Sequence, residues 1–471
     1  MWYFRIPDTG EAEDKKGTYT VFNIHVNGSY HCSVRYSVLL EFFLEVKRRH
    51  DVSQLDPFPS KKILKMSPLD LEERRVDLER FLASLAQDSR INRNNLLPEF
   101  FLAAQHASCG VPMQTVQLEV YLINDKKLPI SVSNYNNSDE VLETMCQKLK
   151  MAPNLTYYFA LFLEKQVPET TEWTTVRYLK SYESPCLSLE KANALCPHRI
   201  ILRRNFWRAD LAHELLKDEI AVSVLYLETS EQINKQEIVV DPEVLKALMA
   251  LKKKGLKKEY LELAITTPQF GYRQVDSIEG RVRVGSTEMV TYTAEGVELK
   301  HMEITKIRCW KVGYDLQGDS SKFYLSVNYH EGNSQFSWVK LQGESALVLT
   351  QFLDEAIEEL VRHFNKQPVK VPSQQPFQMP RSLTTVLMRA ARSPPQSTST
   401  DMTAPTSDPG DSTQPSTQPT ATEGADSTTK SAQVPPIEDA GTSKVKVPVQ
   451  KKKKHGEVEN AAFNTLTDDD L

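Results

Sequence analysis

RYSVLLEFFLEVKRRH (residues 35–50), DVSQLDPFPSKKILKMSPLD (51–70) and LEERRVDLERFLASL (71–85) form the stretch that decides the fold. From Arg35-Tyr36-Ser37 onward, Val38, Leu39, Phe42, Phe43 and Val46 recur at helical spacing. Pro57-Phe58-Pro59-Ser60 cannot extend that helix, because proline fixes φ and has no N–H to donate. The segment reads as an extended, polyproline-like loop. Lys61 and Lys62 follow it, then Ile63, Leu64 and Met66. Ser67-Pro68 suits an N-cap and first turn. Leu71, Leu78, Phe81 and Leu85 then make one helical stripe, which Arg74 and Arg75 flank.

Three elements thus each bring a cation: Arg35, Lys61 and Arg74. Such a set suits one polyanionic headgroup. Arginine gives a phosphate two parallel charge-assisted hydrogen bonds, and lysine acts as a point charge. Tyr36 could set its ring against a sugar-like ring. The same residues also read as solvated charge on an ordinary α+β domain. The patch at 63–66 either dips into lipid or lies beneath the second helix.

The succession R-Y-S, P-F-P-S-K-K, R-R-x-x-L-E-x-F resembles the PX (phox homology) family. The resemblance implies that Arg35 and Ser37 contact the 3-phosphate of phosphatidylinositol 3-phosphate and that Tyr36 lies on the inositol. It also implies that Lys61 meets the 1-phosphate and Arg74 the ring hydroxyls.

A chain of 471 residues should hold two to four domains. Its net charge of −5 gives no global basic field for nucleic acid. The six cysteines are scattered without a C-x-x-C, which indicates neither zinc nor a disulfide framework. The start lacks a signal-peptide core, and no run of about 18 apolar residues exists to span a bilayer. We therefore expect a cytoplasmic, monomeric protein whose membrane contact is peripheral, with no cofactor and no metal. His213-Glu214-Leu215-Leu216-Lys217 has lysine where a zinc-binding helix needs its second histidine. Gly280–Gly285 has P-loop glycine spacing without the lysine and alternates like a strand. No nucleophile elbow or dinucleotide fingerprint is present. The expectation is a binding protein, not an enzyme.

Along the chain, a strand at 18–26, an Asn27-Gly28 hairpin turn and a second strand complete a first domain over 1–109. From 114 to 205 the order strand, strand, helix, strand is ubiquitin-like, with Tyr157–Leu163 as the third strand and mixed strand signals over 177–203. Residues 206–268 turn helical; Lys252, Lys253, Lys254, Lys257 and Lys258 there are a solvated face or an anionic-lipid contact. Residues 269–366 read as recurrent strands closed by one long helix, the pattern of a PH/PTB-like fold. From 367 to 471 the composition becomes rich in Pro, Ser, Thr and Gln, which cannot offset chain entropy by burial, so a disordered tail is expected. Lys444, Lys446 and Lys451–Lys454 within it are a solubilising segment or a contact for an anionic leaflet.

A ubiquitin-like, helical, PH/PTB-like succession resembles a FERM module. The segment around Trp310 and the acidic end resemble the PX-FERM sorting nexins. The expected fold class is α+β multidomain: a PX domain, a three-lobed FERM-like module and a disordered tail. The resemblance implies an endosomal sorting adaptor on the cytoplasmic face of early endosomes, recycling receptors and sparing them lysosomal degradation. It implies that NPxY or NxxY motifs of receptor tails pair with the strand bearing Trp310, beside Ile357 and Val361, which one helical turn places on one face. It further implies that the end of the chain, with Phe463, Leu466, Asp468, Asp469, Asp470 and Leu471, engages the retriever complex. The other reading is a FERM-type membrane–cytoskeleton or small-GTPase-linked scaffold.

Overall fold

The structure is a computed structural model. It describes residues 2–369 except 15–16, 63–65, 93–94, 278–279, 318–319 and 333–334, together with 379, 383–385, 387 and 458–461.

The first domain opens with β1 (Phe4–Arg5), β2 (Thr9–Asp14), β3 (Gly17–Val26) and β4 (Ser29–Arg35), and β3 pairs antiparallel with the other three. Asn27 and Gly28 turn β3 into β4 with φ of 48° and 82°, the left-handed pair that a two-residue hairpin requires. Helices α1 (Tyr36–Arg49), α2 (Pro68–Gln87), α3 (Ser89–Asn92) and α4 (Leu96–Cys109) cover the sheet. Phe22, Ile24, Phe42, Leu78, Phe81 and Phe100 fill the core between them. At the start of α2, the Ser67 side chain accepts the Asp70 N–H while the Asp70 carboxylate accepts the Ser67 N–H, a reciprocal cap.

The second lobe contains β5 (Thr115–Tyr121), β6 (Lys127–Ser133), α5 (Ser138–Leu149), β7 (Phe159–Gln166), β8 (Trp173–Tyr178), α6 (Pro185–Asn193) and β9 (His198–Arg204). Its strand order is β6-β5-β9-β7-β8, with β5 and β9 parallel. Two expectations shift. A 3₁₀ turn takes Pro153–Tyr158, so β7 starts only at Phe159, and the mixed region 177–203 contains α6. Both faces of this sheet are covered, which explains the unbroken apolar run at 159–163. Leu161, Leu163, Ile200 and Leu202 face the core shared with the helical lobe, while Ala160, Phe162 and Ile201 face the last lobe.

The helical lobe comprises α7 (Ala212–Leu215), α8 (Glu219–Asn234), α9 (Pro242–Lys254) and α10 (Lys257–Ile265). His213 and Glu214 lie in the single turn of α7, and no group of metal-ligating side chains occurs among the described residues. The last lobe has one sheet of β10 (Arg273–Ser277), β11 (Gly280–Val284), β12 (Glu288–Tyr292) and β13 (Glu298–Glu303). The second sheet is built from β14 (Ile307–Gln317), β15 (Ser320–Gly332) and β16 (Gln335–Gln342), and α11 (Ala346–Phe364) closes the lobe. No described helix is long and apolar enough to cross a membrane.

The tail beyond 366 is not uniformly featureless, which corrects the sequence reading at two places. Leu383 and Leu387, four residues apart, are buried in the core of the first domain. Val458–Ala461 forms a further strand, β17, antiparallel to β14. The physical reason is the same in both. An isolated apolar pair, or a short run that borrows a ready-made sheet edge, orders without the composition that an autonomous element needs.

The first domain is joined to the rest by a buried polar and aromatic seam. Trp2 lies 4.0 Å from the Tyr182 ring, and Asn27 Nδ2 donates to Tyr182 Oη at 2.9 Å. The Ser184 N–H donates to Gln105 Oε1 at 2.7 Å, and Gln105 Nε2 to Ser188 Oγ at 3.1 Å. Against the last lobe, the Arg5 guanidinium stacks 4.2 Å from the Tyr314 ring centre. A side chain added at Gly28 would run into Leu347 at the start of α11.

Candidate functional site

The first site gathers where β4 passes into α1. Arg35 is the last residue of β4 and the N-cap position of α1, with extended backbone and no side-chain cap. The first amides of α1, at Tyr36 and Ser37, therefore open toward the same space, which favours an anion. Ser37 is exposed. The Arg35 guanidinium is held by Asp14 at 2.7 Å and lies 3.5 Å over the Tyr19 ring. Burial raises the Tyr19 phenol above its ordinary pKa, while Arg35 pulls the other way.

Tyr36 organises the other side. Its hydroxyl donates to the Pro59 carbonyl at 2.7 Å, pinning the proline loop. The Arg74 guanidinium lies 4.2 Å over its ring and donates to the Ser60 carbonyl at 3.0 Å. Arg74 is buried; it reaches inward from α2 to hold the loop that presents Lys61. Lys61 is exposed, whereas Lys62 is tied to Asp70, whose carboxyl is pulled down to about 2 mainly by that bond. The structure thus links Tyr36 and Arg74 directly through the proline loop, with Arg35 and Ser37 flanking Tyr36 and Lys61 following Ser60 in the chain. Sequence reasoning missed Asp14 and Tyr19, the resting partners of Arg35; their positions opposite Gly17 and Ala12 in a β2–β3 hairpin give no local signal. Ile63–Lys65, read as a lipid-dipping or packed patch, lies outside the described residues apart from its neighbour Met66.

The second site is the edge of β14. The sheet order is β16-β15-β14-β17, so β17 occupies the edge that an extended peptide would take. The register sets Cys309 against Ala461, Trp310 against Asn460, Lys311 against Glu459 and Val312 against Val458. Trp310 does lie on the pairing strand, but its side chain is only 1% exposed and fills the core of the lobe with Val312 and Leu325. At that position the side chain of β14 points inward, which leaves the backbone of Trp310 to the edge. Ile357 is buried in the same core and Val361 lies partly buried against it. The signal missed in the sequence is Asn460-Ala461-Ala462-Phe463, itself an N-x-x-aromatic run beginning within β17. Phe463, Leu466 and Asp468–Leu471 lie outside the described residues. A cleft of about 720 Å³ opens where the lobes meet, lined by Tyr157, Asn205, Arg208, Arg362 and His363 among others; no residue of either site lines it.

With this geometry in place, comparison with known families separates the readings. The PX domain model matches residues 22–104. Models for the F1 lobe of the FERM domain of sorting nexins 17, 27 and 31, the F2 lobe of sorting nexins 17 and 31, and the C-terminal FERM domain of sorting nexin 17 match 116–207, 209–267 and 264–361. The chain belongs to the PX-FERM sorting nexins. The PX domain, F1, F2 and F3 are therefore the first domain and the three lobes described above. Sorting nexin-17 of Danio rerio is 28% identical over 425 residues, covering 85% of this chain and 89% of its own length. Sorting nexin-17 of Homo sapiens is 28% identical over 385 residues, with 76% and 82% covered. Sorting nexin-31 of Mus musculus is 27% identical over 398 residues, with 79% and 90% covered. A myosin VII MyTH4-FERM structure from Dictyostelium discoideum aligns with a TM-score of 0.35 at 10% identity, over 61% of this chain and 64% of that one. At that score the likeness decides nothing.

Proposed function

We propose that this PX-FERM sorting nexin is an endosomal sorting adaptor. Its PX domain holds phosphatidylinositol 3-phosphate, its F3 lobe takes NPxY or NxxY segments of receptor tails, and its C-terminal residues recruit retriever for recycling. It is a binding protein; no catalytic step is needed for this work. The observation that carries the reading is the occupied edge of β14. A strand already lies there, and it leads into an N-x-x-aromatic run of the kind the groove would take from a receptor. Strand addition supplies backbone hydrogen bonds from any extended segment, and side-chain pockets then select among them.

The consequence is competition. A receptor peptide and β17 cannot both pair with the same edge, so cargo displaces the tail. That frees the segment that leads to Phe463, Leu466 and the acidic end. Titrating a labelled NPxY peptide into the full chain tests this. Asn460→Ala combined with Phe463→Ala should raise the apparent affinity severalfold, because an internal competitor is weakened. Equal affinities for the two proteins would show that the tail does not compete.

A further inference from the structure

The groove beside β14 has a wall that no FERM lobe supplies. Helix α2 of the PX domain packs alongside β17. The side of α2 that faces F3 follows from its contacts. Arg75 donates to the Ile6 carbonyl, and Glu79 accepts the Ile6 N–H at 2.7 Å. One residue earlier in the N-terminal strand, Arg5 stacks on Tyr314 of β14. The N-terminal strand therefore ties the middle of α2 close to the Tyr314 end of the edge. One helical turn beyond Glu79, Ala83 packs against the F3 core that Trp310 and Val312 fill. The last turns of α2, from Arg80 to Gln87, are left to run past the 309–312 stretch, where β17 pairs. Arg80 and Gln87 are exposed, and Ala83 is the small residue between them.

We propose that α2 is the second wall of the cargo groove, so that an N-x-x-aromatic peptide paired with β14 is read by the PX domain as well as by F3. This rests on the reading of the β14 edge as a peptide site. The occupant is an extended peptide, as β17 demonstrates by lying between the two elements. Charge favours the same chemistry: in the register seen, Lys311 stands opposite an acidic residue, Glu459, and Arg80, whose guanidinium already meets Asp77 at 3.3 Å, adds a second cation on the facing helix. An acidic side chain ahead of the asparagine would then lie beside Lys311 on the outer face of the sheet, where Lys311 sits 5.0 Å over the Trp338 ring. The helix that carries Arg74 at the lipid site thus carries Arg80 and Ala83 at the peptide site, two turns further on.

The test uses the full chain and a fluorescent NPxY peptide with glutamate ahead of the asparagine. Arg80→Glu should weaken binding by threefold or more, and by less when that glutamate is replaced by glutamine. Ala83→Leu should weaken both peptides by tenfold or more. Sedimentation with vesicles containing phosphatidylinositol 3-phosphate should be unchanged in both variants, which shows that the PX domain stays folded. A benzoylphenylalanine placed at Arg80 should cross-link to the peptide. Tight binding with no cross-link and no effect of either substitution would overturn the α2 wall and leave the β14 edge standing. Failure of the unaltered chain to bind either peptide would remove the β14 reading and this inference with it.

Discussion

Arg35 does not wait in open solvent: Asp14 and Tyr19 hold it in the resting protein. On the proposed lipid reading a phosphate takes over from the Asp14 carboxylate, which makes the affinity the difference between two charge-assisted contacts. Arg35→Gln should cost about 1.5–3 kcal/mol, one to two decades in binding to vesicles bearing phosphatidylinositol 3-phosphate. Asp14→Asn should act in the opposite direction. A partly exposed ion pair is worth about 0.5–1 kcal/mol, so sedimentation should tighten by about two- to fivefold. Weaker binding by Asp14→Asn would mean that the carboxylate orients Arg35 for the lipid. Trp310 illustrates a different residue-scale point. With its ring in the core, Trp310→Ala should cost about 3–5 kcal/mol of stability and lower the melting temperature of the chain. Loss of peptide binding in that variant would therefore report a damaged lobe, and an unchanged melting curve would contradict the burial.

At the scale of elements, α2 serves three neighbours: its own PX core through Leu78 and Phe81, the proline loop through Arg74, and F3 through Ala83. Its N-terminus is fixed by the Ser67–Asp70 reciprocal cap. Ser67→Ala should lower stability by about 1 kcal/mol, measured by denaturant unfolding. The first turn of α2 leads to Arg74, so fraying there should also weaken vesicle binding modestly; intact binding would show that Tyr36 and Arg74 hold the loop without the cap. The Asp70 carboxyl has a folded pKa depressed to about 2. Its cap is therefore at full strength above the ordinary carboxylate range and fades as pH falls toward 2.

At the scale of the molecule, PX and FERM share a seam with one buried and one half-buried histidine, His31 and His106. His31 bonds the Phe101 carbonyl at 3.0 Å and is pushed down to about 4, chiefly by burial, although Glu183 pulls it upward. His106, stacked on Tyr135, is also pushed down to about 4 by burial. Both folded values lie below the ordinary 6.5, so the unfolded chain binds these protons more readily. The stability that neutral imidazoles confer is fully present above pH 6.5 and is lost as pH falls toward 4. Thermal unfolding of the full chain should show a midpoint that declines over that window, and His31→Gln should flatten the slope. A midpoint unchanged between pH 6.5 and 4.5 would contradict the buried neutral state.

The elements were legible wherever the cause is local. Hydrophobic spacing places α1 and α2, Asn27-Gly28 places the first hairpin, and alternation with a terminal amphipathic run places F3. The three cations of the proposed lipid site were legible as candidates because each stands beside a local marker: a helix start, a proline loop and an apolar stripe. The sequence by itself thus determined the succession of PX, F1, F2 and F3. What only the tertiary structure decided depends on residues far apart in the chain. Asp14 meets Arg35 through sheet pairing, the Trp310 ring turns inward because β14 has one buried face, and Leu383 and Leu387 order by entering a core built some three hundred residues earlier. The tail strand β17 is the extreme case. Its composition cannot hold a fold, but its backbone finds an unpaired edge and a helix of another domain alongside, and hydrogen bonding to an edge asks almost nothing of sequence.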